Sequence, residues 1–160
     1  METIRRAAER DVSRIAEILV FNNRIQYWPI FRDDAYSFGQ LQVLPVAGEY
    51  LSDRERLDST FVYDDGVVKG LVQVSHGEVK KLYVDPCFQG VGIGAALLRY
   101  AVEQLGAVSL WALEKNTRAV AFYQKHGFHR TGHRTLEEGT TEYLVRMERE
   151  KEGRNPGENA

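Results

Sequence analysis

Six consecutive residues, Gln89-Gly90-Val91-Gly92-Ile93-Gly94, constrain this chain more than any others. They follow an apolar, strand-like run, Val79 to Val84. They lead into an amphipathic run, Ile93 to Leu105, in which Ile93, Leu97, Ala101 and Leu105 repeat every four residues. The pattern predicts a glycine-dense junction from strand to helix. Glycines there let the backbone approach a ligand closely, and the helix start aims free N–H groups and the positive end of its dipole at that ligand. The natural guest is a phosphate or pyrophosphate. Pro86, just past the strand, helps end it, because proline cannot donate to a ladder.

Three phosphate-binding patterns compete for this segment. A P-loop needs Lys-Ser or Lys-Thr after its glycines, and none follows here. A dinucleotide fingerprint needs Gly-x-Gly-x-x-Gly within an early βαβ unit, whereas Gly90, Gly92 and Gly94 follow two hairpin-like strands. The order Gln-x-x-Gly-x-Gly, after a strand ending Leu82-Tyr83-Val84-Asp85-Pro86, resembles the acetyl-coenzyme A loop of the GCN5-related N-acetyltransferases. The bland alternative is a glycine-rich turn with no ligand. A second block counts against it: Asn116-Thr117-Arg118-Ala119-Val120-Ala121-Phe122-Tyr123-Gln124-Lys125-His126-Gly127-Phe128 is similar to the family's Asn-x-x-Ala-x-x-Phe-Tyr-x-x-x-Gly-Phe block. Its residues also read without the family. Asn116 or Thr117 can cap a helix, Gly127 suits the left-handed position after it, and Ala119, Phe122 and Tyr123 fall at helical spacing on one side. The resemblance covers residues 59–147 well and the N-terminal third loosely.

The resemblance implies acetyl-coenzyme A as co-substrate, with no metal. It implies that Gln89, Gly90, Val91, Gly92, Ile93, Gly94 and Ala95 hold the pyrophosphate, chiefly through main-chain N–H groups. It places the pantetheine arm along the backbone of Leu82, Tyr83 and Val84, bound as an added strand would be. N–H groups there would polarise the acetyl carbonyl, worth roughly 3 kcal/mol per donor in comparable oxyanion sites. Asn116 matches the family's cofactor-contacting asparagine. Tyr123 matches the tyrosine beside the cofactor sulfur, a cofactor contact and the candidate general acid, since a phenol with a reference pKa near ~10 is protonated at neutral pH. Lys125 reads as an exposed lysine. Glu78, eleven residues before Gln89, has the spacing of the catalytic glutamate in the histone-acetyltransferase branch and is the candidate base, against a turn-flanking solvated glutamate. Strand parity puts Glu78 on the face of Leu82 and Val84 unless a bulge intervenes. The branch that modifies ribosomal-protein N-termini carries a glutamate where this chain has Trp111. Glu49, His76 and an ordered-water relay are further candidates for the base.

The stretch Phe21 to Phe38 occupies the family's acceptor-binding region. Its aromatics, with Asp33 and Asp34, could hold a cationic amine; the alternative is an aromatic lid with a solvated acidic pair. The acceptor is therefore a small-molecule or peptide amine, with peptide N-terminus, polyamine, aminoglycoside-like antibiotic, amino acid and lysine side chain all open. An acetyltransferase acting by direct attack in a ternary complex competes with a catalytically silent coenzyme A-binding sensor or interaction module, and a homodimer stays open.

Composition narrows the field further. At 160 residues the chain is long enough for one domain with a real core. A net charge of −2 gives no electrostatic case for nucleic acid. Cys87 stands alone, which excludes an internal disulfide and a thiolate metal site, and His126, His129 and His133 lack metal-ligand spacing. No apolar leader or membrane-length run is present, so the cytoplasm is the default compartment.

Along the chain, Thr3 to Arg6 reads as a strand. Val12, Ile15, Ile18, Leu19 and Asn22 follow a helical period, and a second helix near Tyr36 to Leu44 is ended by Pro45. Glu49 to Leu57 is charged and helix-compatible. Ser59 to Tyr63 and Val67 to Ser75 form a hairpin through Asp64-Asp65-Gly66, and His76-Gly77 turns into the strand Glu78 to Val84. After the helix that Gly106 ends, Val108 to Ala112 is a strand, Thr117 to His126 a helix, and Phe128 to Thr135 with Glu142 to Met147 a closing hairpin. The fold class is α+β: a single domain over residues 1–147, with a mainly antiparallel twisted sheet of about seven strands flanked by about four helices, as in the resembling family. Residues 148–160 read as a flexible tail.

Overall fold

β-branched residues punctuated by glycine-bearing turns fold the middle of the chain into a meander. The computed structural model describes residues 3–150. Their contacts gather into two units, one ending at Ala107 and the other beginning at Val108. In the first unit, β1 (Ile4–Arg6), β2 (Thr60–Asp64), β3 (Val68–Ser75) and β4 (Glu78–Val84) lie in that order, every neighbour antiparallel. His76 and Gly77 both take left-handed backbone, φ 51° and 74°, as a tight two-residue hairpin requires. In the second unit, β5 (Ser109–Leu113), β7 (Tyr143–Glu148) and β6 (His129–Leu136) are antiparallel in the order β5-β7-β6. The α+β class and the strand positions thus agree with the sequence to within a residue or so. Glu148 belongs to β7, and residues 151–160 of the expected tail lie outside the described residues.

The described residues hold six α-helices where the sequence predicts about four: α1 (Val12–Asn22), α2 (Trp28–Phe31), α3 (Val43–Ser52), α4 (Arg54–Asp58), α5 (Ile93–Leu105) and α6 (Thr117–Lys125). Pro45 does not end a helix. It is the third residue of α3, in the first turn, where an N–H has no helical acceptor to lose. Pro29 is second in the one-turn α2, which instead follows directly on a π-helical turn over Asn23–Tyr27 that continues α1. Asp53 opens α4 by accepting the Arg56 N–H at 3.1 Å.

α1 and α3 cover one face of the first sheet, where Ile15, Ile18, Leu19, Tyr50, Val62 and Leu71 form a buried cluster. α5 packs against β3 and β4. Gly70 of β3 sets how closely it does so. A Cβ there would lie 2.9 Å from a Leu97 methyl and 2.9 Å from the Tyr83 carbonyl, so this strand position admits only hydrogen.

Arg5 ties the first strand to the helix that follows. Its guanidinium holds Asp11 at 2.8 and 2.9 Å and Asp64 at 2.9 Å, and the Asp11 side chain is only 4% exposed. Burial works to raise the Asp11 pKa, but hydrogen bonds from Arg5 and from the Ala8 N–H outweigh it and hold the carboxyl below its ordinary range. A depressed carboxyl stabilises the fold above its unfolded pKa, and that contribution is lost as pH falls through the folded value. Arg5→Met is therefore expected to cost about 2–3 kcal/mol at pH 7, with the gap to wild type narrowing at pH 3. Urea unfolding at the two pH values measures it, and an equal gap at both would refute the assignment.

Candidate functional site

The glycine junction takes the conformation its composition predicts. Asp85 closes a short turn over Pro86–Phe88 by accepting the Cys87 N–H at 2.8 Å. Gly90 and Gly92 then adopt φ 82° and 92°, a region disfavoured for any side chain. Gly92 is the cap of α5, and no side chain occupies that helix start. The first helical bond runs from the Ala96 N–H to the Gly92 carbonyl, 3.0 Å, so the N–H groups of Ile93, Gly94 and Ala95 precede any acceptor within the helix. A Cβ on Gly90 or Gly92 would meet no protein atom within 4 Å. Their backbone faces open space, as a cradle for an external anion requires.

The loop is anchored by a residue that the sequence presents as one more member of a helical stripe. Asn22, at the end of α1, is 1% exposed. Its amide nitrogen donates to the Ile18 carbonyl at 2.8 Å and to the Val84 carbonyl at 2.9 Å. The Gln89 amide donates to the same Val84 carbonyl at 3.1 Å and to the Asn22 oxygen at 3.3 Å. Arg14 braces the same corner, donating to the Val68 carbonyl at 2.7 Å and pairing with Asp85 at 2.9 Å. Gln89 and Val84, both singled out in the sequence, thus meet, but the Val84 carbonyl has both lone pairs engaged by side chains. Of the backbone groups expected to receive an extended ligand at Leu82, Tyr83 and Val84, that carbonyl is already spent, and those of Tyr83, opposite Leu71, face into the β3 ladder.

Glu78 lies on the other face of β4 from the one that simple alternation predicts. The ladder pairs Gln73 with Lys81 but Val74 with Val79, which leaves Lys80 as an extra, bulged residue. The bulge inverts the parity. Leu82 and Val84 share a face with Val72 and Gly70, under α5, while Glu78, opposite Ser75, shares a face with Lys81 and Tyr83. Its carboxylate pairs with Lys80 and is 17% exposed.

A cavity of about 220 Å³ opens on the Lys81 and Tyr83 side of the first unit, lined also by Tyr27, Glu49, Tyr50 and Arg56. The Tyr50 hydroxyl is fully buried, and burial pushes its pKa up to about 12. Lys81 Nζ lies 3.4 Å from the Tyr50 hydroxyl oxygen. Burial, and next the charge of Arg56, lower the Lys81 pKa. Arg56 pairs with Glu49 at 3.4 Å and Asp53 at 3.5 Å. None of Lys81, Tyr50 and Arg56 stands out in the sequence; the one available signal is a lysine two places before Tyr83 in a strand. Asp33 and Asp34 do not line this cavity. Asp33 accepts the Tyr36 N–H at 3.0 Å and Asp34 the Trp28 indole N–H at 2.7 Å, so both hold their own segment in shape. His76 is exposed, with Nδ1 3.0 Å from the Ser75 hydroxyl.

In the second unit, Asn116 caps α6, its side-chain oxygen accepting the Ala119 N–H at 3.3 Å. The half-buried Tyr123 ring meets Phe122 and Phe128 edge-on at 5.3 and 6.1 Å. The buried residue of α6 is Val120, between the positions the sequence pattern favours. Among the described residues no group of three or more His, Cys, Asp or Glu could hold a metal ion, and no helix is long and apolar enough to cross a membrane.

Known proteins resemble this chain in both sequence and fold. The family profile of the acetyltransferase (GNAT) domain matches residues 56–130. The N-acetyltransferase Rv2669 of Mycobacterium tuberculosis, itself uncharacterised, is 36% identical over 101 residues, 57% of this chain and 64% of that protein. The peptidyl-lysine N-acetyltransferase YjaB of Salmonella typhimurium is 30% identical over 96 residues, 54% of this chain and 66% of that one. The chain thus spans somewhat under two thirds of the length of these relatives. In structure it is similar to YncA of Salmonella typhimurium, solved with its cofactor acetyl-CoA: TM-score 0.66, 20% identity, 96% of each chain covered. At that identity the likeness is one of fold.

Removing the buried amide that anchors the loop tests this geometry. Asn22→Leu is expected to destabilise the fold by about 1–3 kcal/mol, since it strands hydrogen-bonding groups of Gln89 and Val84. It should also speed amide exchange across residues 89–94 more than in β1 and β2. Hydrogen exchange read by mass spectrometry checks both, and a uniform rise across the unit would refute the anchoring role.

Proposed function

Because this chain belongs to the GCN5-related N-acetyltransferase family, we propose that it transfers the acetyl group of acetyl-coenzyme A to a primary amine by direct attack in a ternary complex. The observation that carries this reading is the uncapped start of α5, with two left-handed glycines facing open space. The N–H groups of Ile93, Gly94 and Ala95, with the loop Gln89-Gly90-Val91-Gly92, bind the pyrophosphate. Backbone groups of Leu82 and the Val84 N–H, which point away from β3, receive the pantetheine arm, and an N–H there polarises the thioester carbonyl. Asn116 and Tyr123 contact the cofactor. That YjaB bears the name of a peptidyl-lysine acetyltransferase supports an alkyl amine as the nucleophile.

The steps balance simply. The amine lone pair attacks the carbonyl carbon, the C–S bond breaks, and the amide retains the acetyl group. The proton lost by nitrogen goes to Glu78, directly or through water; the departing thiolate takes one from the Tyr123 hydroxyl. Burying Glu78 beside Lys80, on the face that carries the cavity, supports this role better than the face first expected, since it puts the carboxylate on the acceptor side of β4.

Thiol release from acetyl-coenzyme A with a panel of amines tests the proposal, and binding without turnover for any amine would favour a silent cofactor-binding module. Tyr123→Phe should retain cofactor affinity and lower single-turnover rates by roughly 100-fold; wild-type turnover would make Tyr123 structural. Glu78→Gln should lower the rate at neutral pH and recover in part at high pH, where the amine is already free of its proton. An unchanged pH–rate profile would reject Glu78 as the base.

A further inference from the structure

Lys81 brings a positive charge into the cavity of the first unit, and nothing of opposite sign among the described residues is in contact with it. Among the described residues its ammonium has one hydrogen-bond partner, the Tyr50 hydroxyl at 3.4 Å, and it lies over the same ring, 5.5 Å from its centroid. No carboxylate among the described residues reaches it. Glu49, an acid whose charge influences it, pairs with Arg56, and Asp53 pairs with Arg56 as well. The second cation of the cavity is therefore matched and the first is not. The Tyr50 hydroxyl accepts from Lys81, but it is fully buried and neutral and supplies no opposite charge. Desolvating a charge without a partner is costly, and cavities that do so are built for a ligand that supplies the partner.

We infer that the cavity takes an amine acceptor that also carries a carboxylate, which pairs with Lys81. This rests on the acetyl-transfer reading above. A carboxylate fits this arrangement: one unmatched positive charge on an ammonium that has spent one N–H on Tyr50 and keeps two. A dianionic phosphate would exceed the single unmatched charge. A polyamine would add positive charge to a cavity where Lys81 and Arg56 already repel each other. The volume, about 220 Å³, lies below the ~300–1,000 Å³ of pockets for drug-sized ligands and suits a single amino-acid head group. Burial holds Tyr50 protonated, so it stays neutral beside Lys81 throughout the physiological range and leaves that charge unmatched.

Matched pairs of amines test the inference: L-lysine against cadaverine, and L-phenylalanine against phenethylamine, each with the coenzyme A-loaded protein. Two readouts are taken. The first is the NMR resonance of the Lys81 side chain, assigned by its absence in Lys81→Met. The carboxylate-bearing member of at least one pair should move it and raise its titration midpoint, while the decarboxylated member should not. The second is kcat/KM for thiol release from acetyl-coenzyme A. The carboxylate-bearing member should be preferred at least tenfold, and in Lys81→Met and Lys81→Gln the preference should fall to within about threefold. Both variants lose a desolvated charge, so their thermal melting should not fall below wild type, which keeps a collapse of the fold from mimicking the result. Acetylation of both members at equal efficiency, with an unmoved Lys81 resonance, would overturn the inference and leave the acetyl-transfer reading standing. A shifted Lys81 resonance with no amine acetylated would uphold the carboxylate site and defeat the enzyme reading instead.

Discussion

The carbonyl of Val84 receives two side-chain amides, one from Asn22 at the end of α1 and one from Gln89 at the start of the glycine loop. Both amides also bond to each other. In a buried corner every polar group must find a partner inside the protein, and a half-satisfied network is worse than none. The three groups therefore fix one another, and through them the end of β4, the end of α1 and the entry to α5. Arg14 and Asp85 reinforce the same corner. With its entry pinned, the loop needs two left-handed residues to reach the axis of α5, and glycine meets that need at Gly90 and Gly92 while leaving the approach open. The cradle proposed for the pyrophosphate is thus a consequence of how a carbonyl is satisfied.

A single extra residue, Lys80, divides the labour along β4. Beyond the bulge, Leu82 and Val84 turn toward α5, with Gly70 opposite Val84 permitting close approach of that helix. Before it, Glu78 turns to the face shared by Lys81 and Tyr83, where the cavity lies. One strand can thereby pack a helix on one side and present a carboxylate and an ammonium on the other. Bulges beside functional sites re-aim side chains in this way at little cost to the ladder.

Much of the fold is legible in the sequence because its signals are local. The turns at Asp64-Asp65-Gly66 and His76-Gly77, the four-residue stripe of α5 and the cap at Asn116 each depend on neighbours within a few positions. What is not legible depends on contacts between distant residues. Pro45 reads as a helix end but sits in a first turn, because helix entry is decided by the residues before it. The Lys80 bulge has no glycine or proline to mark it, so alternation places Glu78 on the wrong face. Asn22 fits its helical stripe as well as a leucine would, and only the Val84 carbonyl, 62 positions away, explains it. Lys81 looks like any strand lysine until Tyr50 and Arg56 close around it.

The glycine loop, proposed as the anion cradle for acetyl-coenzyme A, is the feature on which the rest of the site depends. Calorimetric titration of acetyl-coenzyme A into wild-type and Gly92→Val protein tests it most directly, with circular dichroism to establish that the variant is folded. Wild-type protein should bind one equivalent per chain. A folded Gly92→Val protein should lose at least tenfold in affinity, because its side chain occupies the open space before the α5 N–H groups and strains their presentation. Equal affinity in the two proteins would contradict the account.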